Sequence, residues 1–390
     1  MRLYDTRRRE VCELEVGPLV TLYSCGITPY DSAHLGHAEV YLTYDVLQRR
    51  LRDAGHETRC VRNVTDVDDD ILRKARELGV HYLDLAAQEI ARFDRDMAGL
   101  GILPVYAEPR ATSAIPDILS LIGRALDEGV AYQAGGAIYF RVASFPAFGA
   151  ISHLGRDEML VLAKENGGNP DDPNKHDPLD FVLWQPSLCD EPAWESRWGP
   201  GRPGWHIECS ALALRELGET VDIHGGGRDL VFPHHECEAA QSESVTHHTF
   251  VRHWVHVGLV GLDGAKMSKS LGNLVFVSDL LERVPAGAVR LALLGHHYRF
   301  DWTWTDDDLT AGARRLASYE ERTGSSDGSA LLDQVRAALD DDLDTPSALR
   351  AIDTAPVGTD LQPALDLLGV TMSRPQRGRD DVRHGHDHAA

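Results

Sequence analysis

The sequence predicts an α/β protein with a parallel sheet, an insertion that interrupts the sheet, and a short helical domain at the end. Three observations predict this class. Apolar, β-branched runs alternate with helical patterns over the first hundred residues, the pattern becomes irregular between 107 and 203 before it resumes, and it reads helical after Val289. With 390 residues, 43% of them hydrophobic, the chain is long enough for two or three domains with proper cores.

The first half of the sheet is predicted from two pairs of a strand and a helix. Leu19–Ser24 is an apolar strand that runs into a glycine turn, and a helical pattern starts near Ser32. Thr58–Val64 is a second strand, followed by a polar loop rich in aspartate and by an amphipathic helix from about Ile71. Two strands that a helix connects run parallel, so both are expected to end at the same edge of the sheet.

The second half of the sheet is predicted after the irregular stretch. Helix signals at Ile115–Ala125 and a strand at Ala137–Val142 fall within this stretch, which is interpreted as an insertion. A helix at His206–Leu217 and strands at Thr220–His224 and Trp254–Leu262 then complete the sheet.

The remainder reads helical to about Leu368, with turns at Gly324–Ser329 and Thr354–Thr359. The end of the chain is polar and is predicted to be a disordered tail. The predicted boundaries are 1–106 for the first half of the sheet domain, 107–203 for the insertion, 204–295 for the second half, 296–372 for the helical domain and 373–390 for the tail.

Composition excludes several classes of function. The formal net charge is −22, so general affinity for nucleic acid or for an anionic membrane is not built in. No run approaches about 18 uninterrupted apolar residues, which predicts a protein without a membrane span. The six cysteines lie far apart without a C-x-x-C pair, which favours a reducing cytoplasm over a disulfide scaffold. The oligomeric state is left open, with a monomer as the simplest case.

Two short motifs could bind phosphate. His34-Leu35-Gly36-His37 stands at the start of the first predicted helix, where two imidazoles could donate hydrogen bonds to phosphate oxygens; alone, this pattern more often caps or packs a helix. Lys266-Met267-Ser268-Lys269-Ser270 follows a strand and a glycine turn. The whole chain has only five lysines, and two of them lie here, which favours a functional loop over a solvated basic one.

Cys25, Cys209, His234 and Glu238 form a candidate zinc set. If the last two lie on one helix, their i, i+4 spacing projects both from one face, and all four side chains are acceptable zinc ligands. Because the spacing is long-range, buried free cysteines and a capping histidine explain the pattern equally well at this point. The neighbours His235, Glu236 and Cys237 compete for the ligand roles.

Glycines and polar residues at other strand ends are weaker signals. Gly225–Gly227 precede Asp229, whose carboxylate could reach a ribose hydroxyl. Asn63 and Thr65 stand at the end of the second strand, where they could contact the same ligand or form a turn.

Together these residues resemble the class I aminoacyl-tRNA synthetases, whose ATP signatures are the HIGH and KMSKS motifs, here at 34–37 and 266–270. Cys25–Thr28, Asn63–Asp66, Gly204–Cys209 and Phe232–Glu236 are similar to the pattern that cysteinyl-tRNA synthetases share with the cysteine ligases of mycothiol biosynthesis. The resemblance covers the chain to about Arg350 and implies a Rossmann-type catalytic domain with a short helical domain.

The resemblance also implies roles for individual residues. His34, His37, Lys266 and Lys269 would act on the ATP phosphates, and Mg²⁺ would accompany ATP. One zinc ion per chain would be held by Cys25, Cys209, His234 and Glu238. Thr65 and Trp205 would line the cysteine pocket. The ATP and adenylate contacts would come from Gly26, Ile27, Thr28, Gly36, Asn63, Val64, Thr65, Gly227, Asp229, Met267 and Ser268.

Two kinds of enzyme share this pattern. The short helical end and Glu165–Pro170, which differs at two of six positions from the ERGGDP signature of the ligases, favour the ligase; Glu238 matches the synthetases. The hypothesis is therefore ATP-dependent formation of cysteinyl-adenylate from L-cysteine and transfer to the amine of glucosaminyl-inositol, with tRNA a less favoured acceptor. The alternatives are a truncated cysteinyl-tRNA synthetase, a ligase for another amine, and an inactive paralogue that binds cysteine or nucleotide.

Overall fold

The computed structural model describes residues 1–30, 33–267 and 272–372 of the chain. The strands, numbered in chain order, are β1 Arg2–Asp5, β2 Glu10–Glu13, β3 Leu19–Ile27, β4 Glu57–Val64, β5 Ala131–Ala134, β6 Ala137–Phe140, β7 Phe181–Gln185, β8 Arg202–Pro203, β9 Val221–Gly227, β10 Val251–Val257, β11 Val260–Leu262, β12 Ala265–Lys266 and β13 Trp302–Trp304. The helices are α1 Leu35–Asp53, α2 Asp69–Leu78, α3 Tyr82–Gly99, α4 Ile115–Asp127, α5 Arg156–Glu165, α6 Trp205–Leu217, α7 Glu236–Thr246, α8 Val277–Arg283, α9 Ala286–Leu293, α10 Asp306–Arg322, α11 Ser329–Leu339, α12 Thr345–Thr354 and α13 Gln362–Leu367.

The central sheet is parallel and has the strand order β10-β9-β3-β4. Side chains alternate between its two faces along β3, as the pleat of a strand requires. Leu22 contributes to the core that contains the apolar side of α1, whereas Tyr23 contributes to a second core, shared with α6 and the insertion. Because all four strands run the same way, their carboxyl ends meet at one edge, which is where ligands bind in open α/β sheets.

The insertion carries a sheet of its own, β5-β6-β7-β8, whose neighbouring strands are antiparallel. Its β8 leads directly into α6, so the insertion is tied to the element that supplies Cys209. The predicted helix at 115–125 and strand at 137–142 correspond to α4 and β6.

Two sequence predictions about strands are wrong. The single strand expected at Trp254–Leu262 is two strands: β10 ends at Val257, and β11 pairs with β12 and β13 in a separate sheet. The stretch expected to be helical after Val289 is interrupted by β13, which pairs in parallel with β11. The tryptophans and threonine of β13 favour a strand, and pairing with β11 satisfies their backbone groups.

The helical end of the chain packs into the same hydrophobic core as the first half of the sheet domain. This core contains residues from Leu3 to Val370. The buried guanidinium of Arg290 links α9 to α1 and to the end of the helical domain. Arg290 of α9 donates to Asp45 Oδ2 of α1 at 2.5 Å and to the Leu368 carbonyl at 2.6 Å. The domain boundaries given above stay a prediction, and the tail 373–390 lies outside the described residues.

Replacing Arg290 by methionine should lower the free energy of unfolding by about 3–5 kcal/mol, because the substitution leaves the buried carboxylate of Asp45 without this partner. Urea unfolding followed by circular dichroism measures the change. The matched control is Arg283→Met, which removes an exposed ion pair to Asp306 and should cost less than about 1 kcal/mol. Equal unfolding midpoints for the two variants would contradict the structural role of Arg290.

Candidate active site

A cleft of about 950 Å³ opens at the carboxyl ends of the parallel strands. Its walls come from the end of β3, the start of α1, the turn after β9 and the loop after β10. Many residues predicted from the sequence line it: Cys25, Gly26, Ile27, Thr28, His34, Gly36, His37, Trp205, Gly227, Asp229 and Met267. The fold therefore brings together residues that lie more than 200 positions apart in the chain.

The histidine motif both caps α1 and faces the cleft. His34 is the N-cap, and its Nδ1 accepts a hydrogen bond from the Gly36 amide at 3.1 Å. His37 Nδ1 accepts from the His34 amide at 3.4 Å, and the two ring centroids lie 4.0 Å apart. A Cβ on Gly36 would lie 2.9 Å from His34 Cε1, so glycine lets the ring pack on the backbone. Because Nδ1 of each ring accepts a backbone hydrogen bond in the cap, Nε2 is the atom that can contact a phosphate.

The lysine motif is described only in part. Met267 is buried and lines the cleft, and the backbone of Lys266 belongs to β12. The Lys266 side chain, Ser268 and Lys269 lie outside the described part of the chain. Their predicted roles at the ATP phosphates stay predictions.

Asn63, Val64 and Thr65 do not reach the cleft wall; all three are buried at the end of β4. The Asn63 side chain accepts from the Gly26 amide at 2.9 Å and donates to Thr65 Oγ1 at 3.2 Å. A Cβ on Gly26 would lie 1.6 Å from the Asn63 carbonyl oxygen, so only glycine lets the strands approach this closely. The structure thus places these residues behind the cleft, where they hold the end of β3 in position.

The turn after β9 places the carboxylate of Asp229 at the cleft. A Cβ on Gly227 would lie 2.5 Å from Asp229 Oδ1, so glycine leaves room for this side chain. Both residues line the cleft, as expected for a group that contacts a ribose.

The four predicted zinc ligands converge beside the cleft. One donor atom from each of Cys25, Cys209, His234 and Glu238 lies within 4.8 Å of the other three, and all four residues are buried. Glu238 Oε1 lies 3.6 Å from Cys25 Sγ and 3.2 Å from His234 Nε2. Tetrahedral zinc with bonds of about 2.0–2.3 Å separates its ligand atoms by roughly 3.3–3.8 Å, so the geometry and the donor chemistry both fit this metal.

A second layer of histidines surrounds the four donors. His206 Nδ1 lies 2.9 Å from His234 Nδ1, which directs Nε2 of His234 toward the cluster. His224 Nε2 lies 3.0 Å from Glu238 Oε2 and fixes that carboxylate. The sequence interpretation missed both histidines; His206 is adjacent to Trp205 in a motif that it used, and His224 directly precedes the glycines.

His235, a neighbour of the predicted ligand His234, remains an alternative metal ligand. His235 Nε2 lies 3.3 Å from Cys25 Sγ, and Cys25, His224, His235 and Glu238 form a second group with donor atoms within 4.8 Å. Glu236 instead accepts hydrogen bonds from the Ile151 and Ser152 amides, and Cys237 belongs to no donor group found among the described residues.

Burial shifts the pKa values of several groups in and around this cluster. It raises the pKa of the Cys25 thiol well above its usual value, because the thiolate would lose its hydration. It lowers the pKa values of His234 and His235 well below theirs, so that both rings are neutral, and it lowers the pKa of His206 to about 3. Neutral imidazoles are the form that binds a metal, and a dication would favour the thiolate form of the cysteines.

A polar part of the cleft lining comes from the insertion. Glu165, Asn166, Gly167, Gly168 and Asn169 border it, together with Tyr139, Asp172 and Lys175. Tyr139 donates to Asp172 Oδ2 at 2.7 Å, which fixes that carboxylate. Both the edge of the central sheet and polar residues of the insertion therefore line the cleft.

Comparison with known proteins agrees with this architecture. Residues 13–314 match the family of the tRNA synthetases class I (C) catalytic domain, and the chain belongs to that class. The Mycobacterium tuberculosis methionyl-tRNA synthetase in complex with methionyl-adenylate has the same fold, with a TM-score of 0.64 over 85% of this chain and 81% of that chain, at 17% identity. The predicted fold class is confirmed.

Within this class, the chain belongs to the family of the L-cysteine:1D-myo-inositol 2-amino-2-deoxy-alpha-D-glucopyranoside ligases. It is 49% identical to the ligase of Nocardiopsis dassonvillei over 90% of this chain and 88% of that protein. It is 50% identical to the ligase of Parafrankia sp. over 90% of this chain and 81% of that protein. The predicted resemblance to the cysteine ligases is confirmed. No helix in the described part of the chain is long and apolar enough to cross a membrane.

Proposed function

We propose that this chain is an ATP-dependent ligase of mycothiol biosynthesis. It activates L-cysteine as cysteinyl-adenylate with release of pyrophosphate, and transfers the cysteinyl group to the amine of glucosaminyl-inositol with release of AMP. One observation carries the proposal: ligases of that name are 49% and 50% identical to this chain over 90% of its length. The cleft supports it, because residues of the sheet edge and polar residues of the insertion line one volume.

The sheet side of the cleft is assigned to adenylation. The class uses ATP with Mg²⁺, and His34 and His37 lie where α1 begins, so that their Nε2 atoms can donate to phosphate oxygens. Lys266 and Lys269 are assigned to the charge that builds on the transferred phosphorus. Asp229 and Gly227 are assigned to the ribose, and Thr28 to the adenylate.

Cys25, Cys209, His234 and Glu238 are assigned to one zinc ion per chain. When bound, zinc supplies a bond to a thiolate sulfur that the hydroxyl of serine does not match, which discriminates between the two amino acids without editing. Trp205 lines the cleft beside the cluster, and its ring stacks on His234 with centroids 4.1 Å apart. This set, rather than the group with His224 and His235, includes both thiols and has its imidazole oriented by His206.

The insertion side is assigned to the acceptor. Glu165, Asn166 and Asn169 supply carboxylate and amide groups suited to sugar hydroxyls, and they border the same cleft as the adenylate residues. All six cysteines are unpaired, which supports a cytoplasmic location.

AMP release tests the choice of acceptor. With cysteine, ATP and Mg²⁺ present, we expect rapid AMP release when glucosaminyl-inositol is added, because its amine consumes the adenylate. Cysteinyl-tRNA should not form when tRNA replaces the amino sugar. Reactions without cysteine, or with serine in its place, are the controls. AMP release that requires tRNA would overturn the proposed function in favour of a synthetase.

A further inference from the structure

Asp68 is a carboxylate held in a fixed position at the cleft. It is the N-cap of α2, where its Oδ1 accepts a hydrogen bond from the Ile71 amide at 2.9 Å. Its other oxygen, Oδ2, accepts from Thr28 Oγ1 at 3.5 Å. Asp68 and Thr28 both line the cleft. The cap therefore uses one oxygen and directs the second toward the end of β3, where the adenylate is assigned.

The flanking carboxylates are engaged elsewhere. Asp69 pairs with Arg202, and Asp70 lies 2.9 Å from Arg73. Both are exposed, whereas Asp68 is partly buried. The titratable groups whose charges act on Asp68 are Asp69 and Asp70 on the same turn and Glu208 on α6. All three carboxylates border the cleft, and Asp68 is the one that accepts a hydrogen bond from Thr28.

We propose that Asp68 is the catalytic base that accepts the proton from the acceptor amine in the second half-reaction. This inference rests on the proposed function and adds the residue that makes the acceptor nucleophilic. An amino sugar arrives as an ammonium ion, which a carboxylate attracts, and it must lose a proton before its nitrogen can attack. Burial raises the pKa of Asp68 to about 7, which suits a base that works near neutral pH.

The step balances with the groups named. Asp68 Oδ2 takes one proton from the ammonium ion, and the freed lone pair forms the C–N bond to the cysteinyl carbonyl carbon. The bond from that carbon to the phosphate oxygen breaks, and its electron pair leaves with AMP. The second proton lost from the nitrogen leaves on the AMP phosphate. The amide, AMP and a protonated Asp68 remain, and water takes the last proton before the next turnover.

The Asp68→Asn variant separates this role from a structural one. Asparagine is as good an N-cap as aspartate, so α2 keeps its cap. We expect cysteine-dependent exchange of labelled pyrophosphate into ATP to stay within about threefold of the wild type, while amide formation with glucosaminyl-inositol falls roughly 100-fold or more. Equal loss in both reactions would overturn the proposal, because Asp68 would then act on cysteine or ATP. Unchanged amide formation would also overturn it.

A second nucleophile makes the test independent of the natural acceptor. Hydroxylamine is unprotonated at neutral pH and traps cysteinyl-adenylate as the hydroxamate without a base, whereas glucosamine is a protonated primary amine. The variant should keep its rate with hydroxylamine and lose it with glucosamine. If wild-type enzyme reacts with glucosamine but not with glucosaminyl-inositol, the proposed function fails while the role of Asp68 is still measured.

Asp70→Asn is the matched control, since it removes one negative charge from the same turn. We expect amide formation by this variant to stay within about threefold of the wild type, because the carboxylate of Asp70 is exposed and pairs with Arg73. A loss as large as that of Asp68→Asn would show that only the summed charge of the turn matters and would overturn the assignment to Asp68.

Discussion

Cys209→Ser protein should contain almost no zinc and should lose cysteine-dependent pyrophosphate exchange. The serine hydroxyl stays protonated at neutral pH and is a poor zinc ligand, so three donors remain for the ion. Without the metal, the interaction that selects the thiol is gone, and exchange should fall on the order of 10⁴-fold. Metal content by atomic absorption and the exchange rate at saturating ATP measure the two effects.

Cys60→Ser controls for the loss of a buried thiol. Cys60 lies on β4 and is as well buried as Cys209, yet it belongs to neither four-residue donor group beside the cleft. This variant should keep one zinc per chain and near wild-type exchange.

His234→Asn and His235→Asn distinguish the two donor groups: zinc should be lost only in the first. Zinc retained in Cys209→Ser, or lost only in His235→Asn, would contradict the assigned ligand set.

His34→Asn should slow adenylation by about 100-fold to 1,000-fold, as does the loss of a donor to transition-state charge in other enzymes. Asparagine is a good N-cap, so the start of α1 should survive the substitution. The imidazole that faces the cleft is removed, and with it a hydrogen bond to the phosphates. The rate of pyrophosphate exchange at saturating ATP and cysteine measures the loss.

His81→Asn is the matched control for capping. His81 is the N-cap of α3, where its side chain accepts from the Leu83 amide at 3.3 Å, and it does not line the cleft. Exchange should be unchanged in this variant. Equal rates for His34→Asn and the wild type would mean that His34 acts only as a helix cap, the plainer interpretation of the motif.

Local patterns were sufficient to predict most of the fold. The run around Leu22 is apolar, the run around Val61 contains the β-branched Thr58 and Val64, and each leads into a helix, so parallel strands followed from nearest-neighbour order. The same reasoning failed at β11 and β13. Three-residue strands carry too little periodicity to be recognised, and their pairing joins segments about 40 positions apart.

The candidate site, like the fold, could be predicted from the sequence only in part. The types and spacing of His34, His37, Trp205 and Asp229 indicated the cleft, and the structure places all four in its wall. Asn63 and Thr65 also stand at a strand end, but the structure turns them inward to hold Gly26. Which way a side chain points at a strand end depends on contacts with the neighbouring strand, and the spacing of residues contains no information about those contacts.

By itself, the sequence determined the α/β class and the two short motifs at 34–37 and 266–270, and it indicated a set of candidate metal donors, because these follow from residue type and short-range order. Only the tertiary structure decided that Cys25, Cys209, His234 and Glu238 meet, that His206 and His224 orient them, and that Asp68 accepts a hydrogen bond from Thr28. These contacts include pairs of residues that lie 28, 40 and 213 positions apart, and they exist because the parallel sheet gathers its strand ends at one edge.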